Sequence, residues 1–178
     1  DSVYVNNAEG AMKATNYLID KGYKSIACIT CTKQNLPSAD RIKGYRDALE
    51  SHGMNFNENL LFEVEDDTIE AGVEIFRKIK NFTPAINAVF FPAGDMVAIG
   101  FIKEAKNQGC IIPRDFAVVG FDDIPAAEVI EPALTTVRQP KLEMGDYAIG
   151  MIVDKMEGRE SGIKHKELQT KFIIRESA

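Results

Sequence analysis

A chain of 178 residues suffices for one domain, or one domain and a fragment of a second, with a core that needs no covalent staples. Its 21 Lys and Arg against 27 Asp and Glu leave a net charge of −6, which argues against this stretch gripping a phosphate backbone by itself. No apolar run approaches the ~18–20 residues that a membrane-spanning helix requires. The chain opens at "DSVYV" without a start Met or a signal peptide and reads as an excised piece, so targeting signals are not informative.

In chain order, "SVYV" predicts a strand and "NNAEGAMKATNYLIDKG" a helix, with Asn6 and Glu9 at capping-box spacing and Gly22 past its end. "SIACIT" is a second strand, and "ADRIKGYRDALESHG" a helix burying Ile42, Tyr45, Ala48 and Leu49. "LLFEV" precedes the helix "DTIEAGVEIFRKIK", in which Asp67 is the expected cap. "INAVFF" and "DMVAIGFIKEAKNQG" form the next strand and helix, and "FAVVGF" the fifth strand. After a loop come the short strand "LTTV", a long helix opened by Pro140, and a closing strand "LQTKFIIRES". Short apolar runs alternating with amphipathic helices are the pattern of parallel strands buried on both faces. The fold class is therefore α/β, a Rossmann-like doubly wound parallel sheet.

Ligands of such sheets sit outside the carboxyl ends of the strands. Thr30, Cys31 and Thr32 follow the second strand, with Ser38 and Arg41 beyond. Glu65, Asp66 and Asp67 follow the third, Ala93, Gly94 and Asp95 the fourth, and Asp122 and Asp123 the fifth. Arg41 falls in the first turn of its predicted helix, where its charge opposes the dipole, so a specific partner is expected. Asp67 and Asp95 open helices and read first as caps, with ligand contact the second reading. Two carboxylates at one strand end fit either the hydroxyls of a small ligand or a magnesium site built from Asp95, Asp122 and Asp123. Phosphoryl chemistry also wants a lysine or a Gly-rich cradle, and Lys33 is the nearby candidate. The two histidines, His52 and His165, fall at a helix end and in a polar stretch, and the sequence has no HExxH, GxSxG or P-loop motif. Cys28 and Cys31 spell C-x-x-C, but on a strand residues three apart face opposite sides, so neither a metal nor a disulfide is expected. A reducing setting is the simpler reading of three cysteines.

The segments "RIKGYRDALESHG", "INAVFFPAGDMVAIGFIKEAKNQGCIIPRDFAVVGFDD", "PALTTVRQPKLEMGDYAIGMIVDKMEG" and "IIRES" closely resemble the effector-binding region of lactose- and galactose-repressor-type (LacI/GalR) bacterial transcription regulators. The resemblance covers essentially the whole chain and is most specific in "VGFDDIPAAEVIEPALTTVRQP". It implies a periplasmic-binding-protein-like type I subdomain whose cleft binds a small molecule, often a sugar. That binding alters how a homodimer presents N-terminal heads to DNA. On this reading residues 1–135 form the C-terminal subdomain, with a short crossing strand at 1–5. Residues 136–163 supply a crossover strand and helix to the N-terminal subdomain, 164–178 return as a strand, and the DNA-binding head is absent.

Position by position, the resemblance makes Arg41 the effector-binding arginine of an R-x-x-G segment and Asp122 the ligand-contacting aspartate of G-F-D-D. Gln139 faces the cleft at a crossing, Asp67 lies near a ligand-contact position, and Thr32 and Asp95 complete the expected set. Gly94 stands where many members have Asn, which widens the pocket. Asp123 is expected to be structural. The implied function is effector sensing in the cytoplasm, with no catalysis, cofactor, metal or membrane partner and with DNA reached only through the missing head. The alternative is a solute-binding protein of uptake or chemosensing. The helix after Pro140 should carry Leu142, Ile149, Ile152 and Met156 exposed, docked on a neighbour, or covered only by residual strands.

Overall fold

In the computed structural model of the chain, residues 1–32, 36–82, 85–159 and 162–178 are described. Lys33 lies outside them. The main body is a six-stranded sheet of β2 (Ile26–Cys31), β3 (Leu61–Val64), β4 (Ala88–Phe90), β5 (Ala117–Asp122), β6 (Thr135–Arg138) and β8 (Lys171–Ile173), in the order β3-β2-β4-β5-β6-β8. Neighbours run parallel except β8, which is antiparallel to β6 at the edge.

Successive residues of a strand face opposite sides, and both sides are covered. Ile26, Cys28, Ala88, Phe90, Val119 and Phe121 pack under α1 (Asn7–Asp20) and α2 (Leu36–Ser51), which contribute Ala11, Ala14, Leu18, Tyr45 and Leu49. Ala27, Ile29, Val89, Phe91 and Val118 pack under α3 (Ile69–Ile79) and α4 (Asp95–Asn107), which contribute Ile75, Phe76, Ile79, Val97 and Phe101. On that side Phe101 meets Phe76, Phe91 and Phe116 edge-on at ring-centroid distances of 5.3, 5.3 and 5.5 Å. Such pairs add to the ~1.5–3 kcal/mol that burial of each large side chain contributes. This is the doubly wound α/β arrangement read from the sequence.

Separate from this sheet, β1 (Ser2–Val5) pairs in parallel with β7 (His165–Leu168), and α6 (Lys141–Met156) packs beside β1. None of the residues of α6 is buried. Leu142 is 88% exposed and Met156 81%, with Ile149 and Ile152 also open. No described helix is long and apolar enough to cross a membrane.

Four local expectations need correction. Thr136 to Arg138 do not leave for a second subdomain: β6 lies beside β5 in the six-stranded sheet, with Thr135, Thr136 and Val137 fully buried. A short β-branched run carries no mark of which sheet it joins. The closing segment is two strands, and β7 joins β1 while only β8 returns to the main sheet. Asp67 does not cap α3: Thr68 does, its Oγ1 accepting from the Ala71 N–H at 3.2 Å. Helix α2 starts at Leu36, because Pro37 is tolerated in a first turn, and this moves Arg41 into the second turn. By contrast, Asn6 caps α1 as expected, accepting from the Glu9 N–H at 2.9 Å.

Candidate effector-binding cleft

At the carboxyl edge of β2, β4 and β5 a cleft of about 420 Å³ is lined by Arg41, Glu65, Asp66, Asp67, Asp122 and Gln139, with Cys31, Pro37, Ser38, Pro92 and Ala93. Arg41 reaches it from α2. Its Nε donates to Asn7 Oδ1 at 2.9 Å and its Nη1 to the Pro92 carbonyl at 2.7 Å. The guanidinium lies over the Phe121 ring at 3.8 Å, and Nη2 is 3.7 Å from Asp122 Oδ1. Burial pulls its pKa down from the ordinary value, and the nearby Asp122 carboxylate opposes that pull. A planar fork held on its face, its stem and one edge presents its remaining N–H groups in a fixed direction.

Asp122 ends β5 and accepts from Gln139 Nε2 as well as pairing with Arg41. Its backbone φ is 114°, and that of Asp123 is 49°, both in the left-handed region that non-glycine residues rarely enter. Gly94, at φ 128°, faces the Asp122 carboxylate: a Cβ there would stand 3.4 Å from Asp122 Oδ2 and 4.0 Å from Asp67 Cβ. A glycine therefore both permits the backbone and leaves room at the cleft floor.

The geometry brings Arg41, Asp122, Gln139, Asp67 and Gly94 together. It does not bring Thr32 or Asp95. Thr32 is exposed and borders an adjoining groove with Glu63, Val64 and Thr68, because its N–H is tied to the Val64 carbonyl at 2.8 Å. Asp95 is only 1% exposed and neither caps α4 through its side chain nor enters the cleft. Its Oδ1 accepts from Thr136 Oγ1 at 2.6 Å and its Oδ2 from the Ile124 N–H at 2.9 Å. Burial pushes this carboxyl up to about 6; the two hydrogen bonds pull it down, and Asp122 and Asp123 push it up further.

Asp123 points away from both, into a double ion pair with Arg138 and, at 2.8 Å, Arg175. Burial alone would raise its pKa, but the two arginines hold the carboxyl below the usual range. Asp95, Asp122 and Asp123 thus diverge rather than converge on one point. Among the described residues no group of three or more His, Cys, Asp and Glu is placed to hold a metal ion. Cys28 is buried in the core under α1 and α2, where burial pushes its thiol up, whereas Cys31 borders the cleft. His52 sits against the Ala48 carbonyl and Asp20 at the end of α2, and His165 against Ser2 Oγ, both away from the cleft.

Reasoning from the sequence missed two supports of Arg41. Asn7 follows the first strand, so the rule that strand ends supply ligands points to it once applied there too. Phe121 immediately precedes Asp122 but reads as plain core, and nothing in its sequence context marks the ring as a platform.

A family profile described as a periplasmic binding protein-like domain matches residues 15–178. The HTH-type transcriptional regulator CelR of Thermobifida fusca is 34% identical over 175 residues, covering 98% of this chain and 51% of that protein. The solved CelR–cellobiose complex superposes with a TM-score of 0.91 at 33% identity, covering 99% of this chain and 53% of that one. A LacI family regulator from Enterococcus faecium with bound ribose superposes with a TM-score of 0.90 at 25% identity, covering 99% and 65%. The chain spans about half the length of the curated relatives it matches. With a doubly wound sheet, a polar cleft at its carboxyl edge and a match over residues 15–178, the chain belongs to the periplasmic binding protein-like domain family.

Proposed function

We propose that this chain is the effector-sensing part of a LacI-type transcriptional regulator and that its effector is an uncharged, hydroxylated molecule, a sugar above all. The observation that carries the reading is the constellation of Arg41, Asp122 and Gln139 at the carboxyl edge of the sheet. A fork of donors, a pure acceptor and an amide placed side by side can hold adjacent hydroxyls in register. Each hydrogen bond to a charged group contributes about 1.5–3 kcal/mol, enough to separate isomers. Relatives solved with cellobiose and with ribose supply the ligand class. Charge narrows it: among the described lining residues Glu65, Asp67 and Asp122 outnumber the Arg41 guanidinium, which disfavours phosphorylated sugars.

On this reading α6, β1 and β7 belong to a second subdomain that closes over the cleft, and closure is relayed through a homodimer to DNA-binding heads in the cytoplasm. Binding without catalysis is the role, and Asp67 and Gly94 shape the pocket beside the three principal contacts. The test is calorimetry on the full-length protein with neutral mono- and disaccharides, cellobiose and ribose included, and with ribose 5-phosphate. A neutral sugar should bind at least tenfold more tightly than the phosphorylated one. Arg41→Ala and Asp122→Ala should abolish that binding and the effector response while leaving DNA affinity intact. Normal induction in either variant would sink the assignment.

A further inference from the structure

The turn from Asp122 to Ile124 holds two consecutive non-glycine residues at positive φ, a conformation that persists only where its surroundings enforce it. Two sets of contacts surround it. On the outer side Asp123 is held by Arg138 and Arg175. On the inner side stands Asp95, the first residue of α4, whose carboxylate serves neither its own helix nor the cleft.

We infer that Asp95 is a positioning residue for Asp122. Its Oδ2 fixes the Ile124 N–H, two residues beyond Asp122, and its Oδ1 fixes the hydroxyl of Thr136 on the neighbouring strand. Thr136 is paired in register with Gly120, and a Cβ at Gly120 would fall 2.2 Å from Asp95 Oδ1. The carboxylate therefore lies flat against β5 in a space that only glycine leaves, and it ties α4, β5, β6 and the turn at one point. Without that tie the turn is free to relax toward ordinary backbone, which would swing the Asp122 carboxylate away from Arg41 and Gln139. The inference rests on the cleft being the effector site, and it adds a buried carboxylate that never touches the ligand.

The experiment uses the full-length protein and whichever neutral sugar binds it, starting from cellobiose and ribose. Asp95→Asn, which cannot accept both hydrogen bonds, should weaken binding at least tenfold. Thr136→Val should weaken it at least threefold, while Thr136→Ser, which keeps the hydroxyl, stays within twofold of the parent. These threonine variants serve if Asp95→Asn does not fold. The deciding comparison is the double variant: Asp95→Asn with Asp122→Asn should bind no more weakly than Asp122→Asn alone. Losses that add, or parental affinity in Asp95→Asn or Thr136→Val, overturn the inference. If no sugar binds the parent protein, the effector reading fails instead. Asp95 is then judged by the crystal structure of the Asp95→Asn or Thr136→Val variant, where an unchanged φ at Asp122 overturns it and a relaxed turn supports it.

Discussion

The six-stranded sheet and the small unit of β1, β7 and α6 are built from similar amphipathic material and end in opposite states. In the sheet, apolar side chains are covered from both sides, down to zero exposure at Ile29, Val89, Phe101 and Val118. On α6, Leu142, Ile149, Ile152 and Met156 lie open, and no residue of the helix is buried. Amphipathic pattern fixes a helix only where a partner surface receives its apolar face, because isolated helices of this length are marginal in water. Stability should therefore be concentrated in the sheet, and substitutions on each side measure how far. Phe101→Ala removes the ring at the centre of the aromatic cluster and should cost about 3–5 kcal/mol in chemical denaturation of the 178-residue chain. A cost below about 1 kcal/mol would mean that this side of the sheet is far less tightly packed than the ring contacts indicate.

How much of this was legible follows the same division. The strand and helix order came through because each apolar run is continuous and each helix repeats its apolar face. Arg41 and Asp122 were legible because strand-end position and family resemblance agree on them, whereas Gln139 rested on the resemblance alone. Asp95 was not, since an aspartate at a helix start has the same signature whether it caps the helix, binds a ligand or braces a turn. Its difference lies in Gly120 and Thr136, residues 25 and 41 positions away that only the fold brings beside it. Thr32 was misplaced because strand-end position does not fix which side of the edge a residue faces. The partner of β6 was illegible because "TTVR" reads the same beside any strand.

A middle-sized effect distinguishes Asp95 from its neighbour Asp123. The folded Asp95 carboxyl, pushed up to about 6 chiefly by burial, holds its proton more tightly than the unfolded one does at its ordinary value of 3.8. The folded state thus takes up a proton as pH falls through about 6, and this group's contribution to stability rises until about pH 4. The shift corresponds to an order of 1–3 kcal/mol. Asp123, held below the ordinary range by Arg138 and Arg175, has the opposite sign: its contribution is present above the unfolded value and is lost as pH falls through the folded one. Denaturation at pH 7 and pH 5 should show the parent chain losing less stability on acidification than Asp95→Asn, which cannot take up the proton. Parallel pH profiles for the two would show that the charge of Asp95 is not penalised by its burial.

The smallest effect falls on α6, and it is the one that tests why its face is bare. Met156→Ser and Leu142→Ser change side chains that are already in water, so in the 178-residue chain each should shift stability by no more than about 0.5 kcal/mol. In the full-length protein, where the proposed second subdomain covers this face, the same substitutions should each cost roughly 1–3 kcal/mol, as removal of a buried apolar side chain does. The two measurements decide different things. A large cost in the 178-residue chain would show that α6 already has a partner surface within it, and that the contrast with the sheet is wrong. Equal, negligible costs in both would leave α6 uncovered in the longer protein as well. On the proposed reading, subdomain closure would then have no packed helix at this position through which to act, and any relay from Asp122 to a homodimer would have to run through β6 and β8 alone.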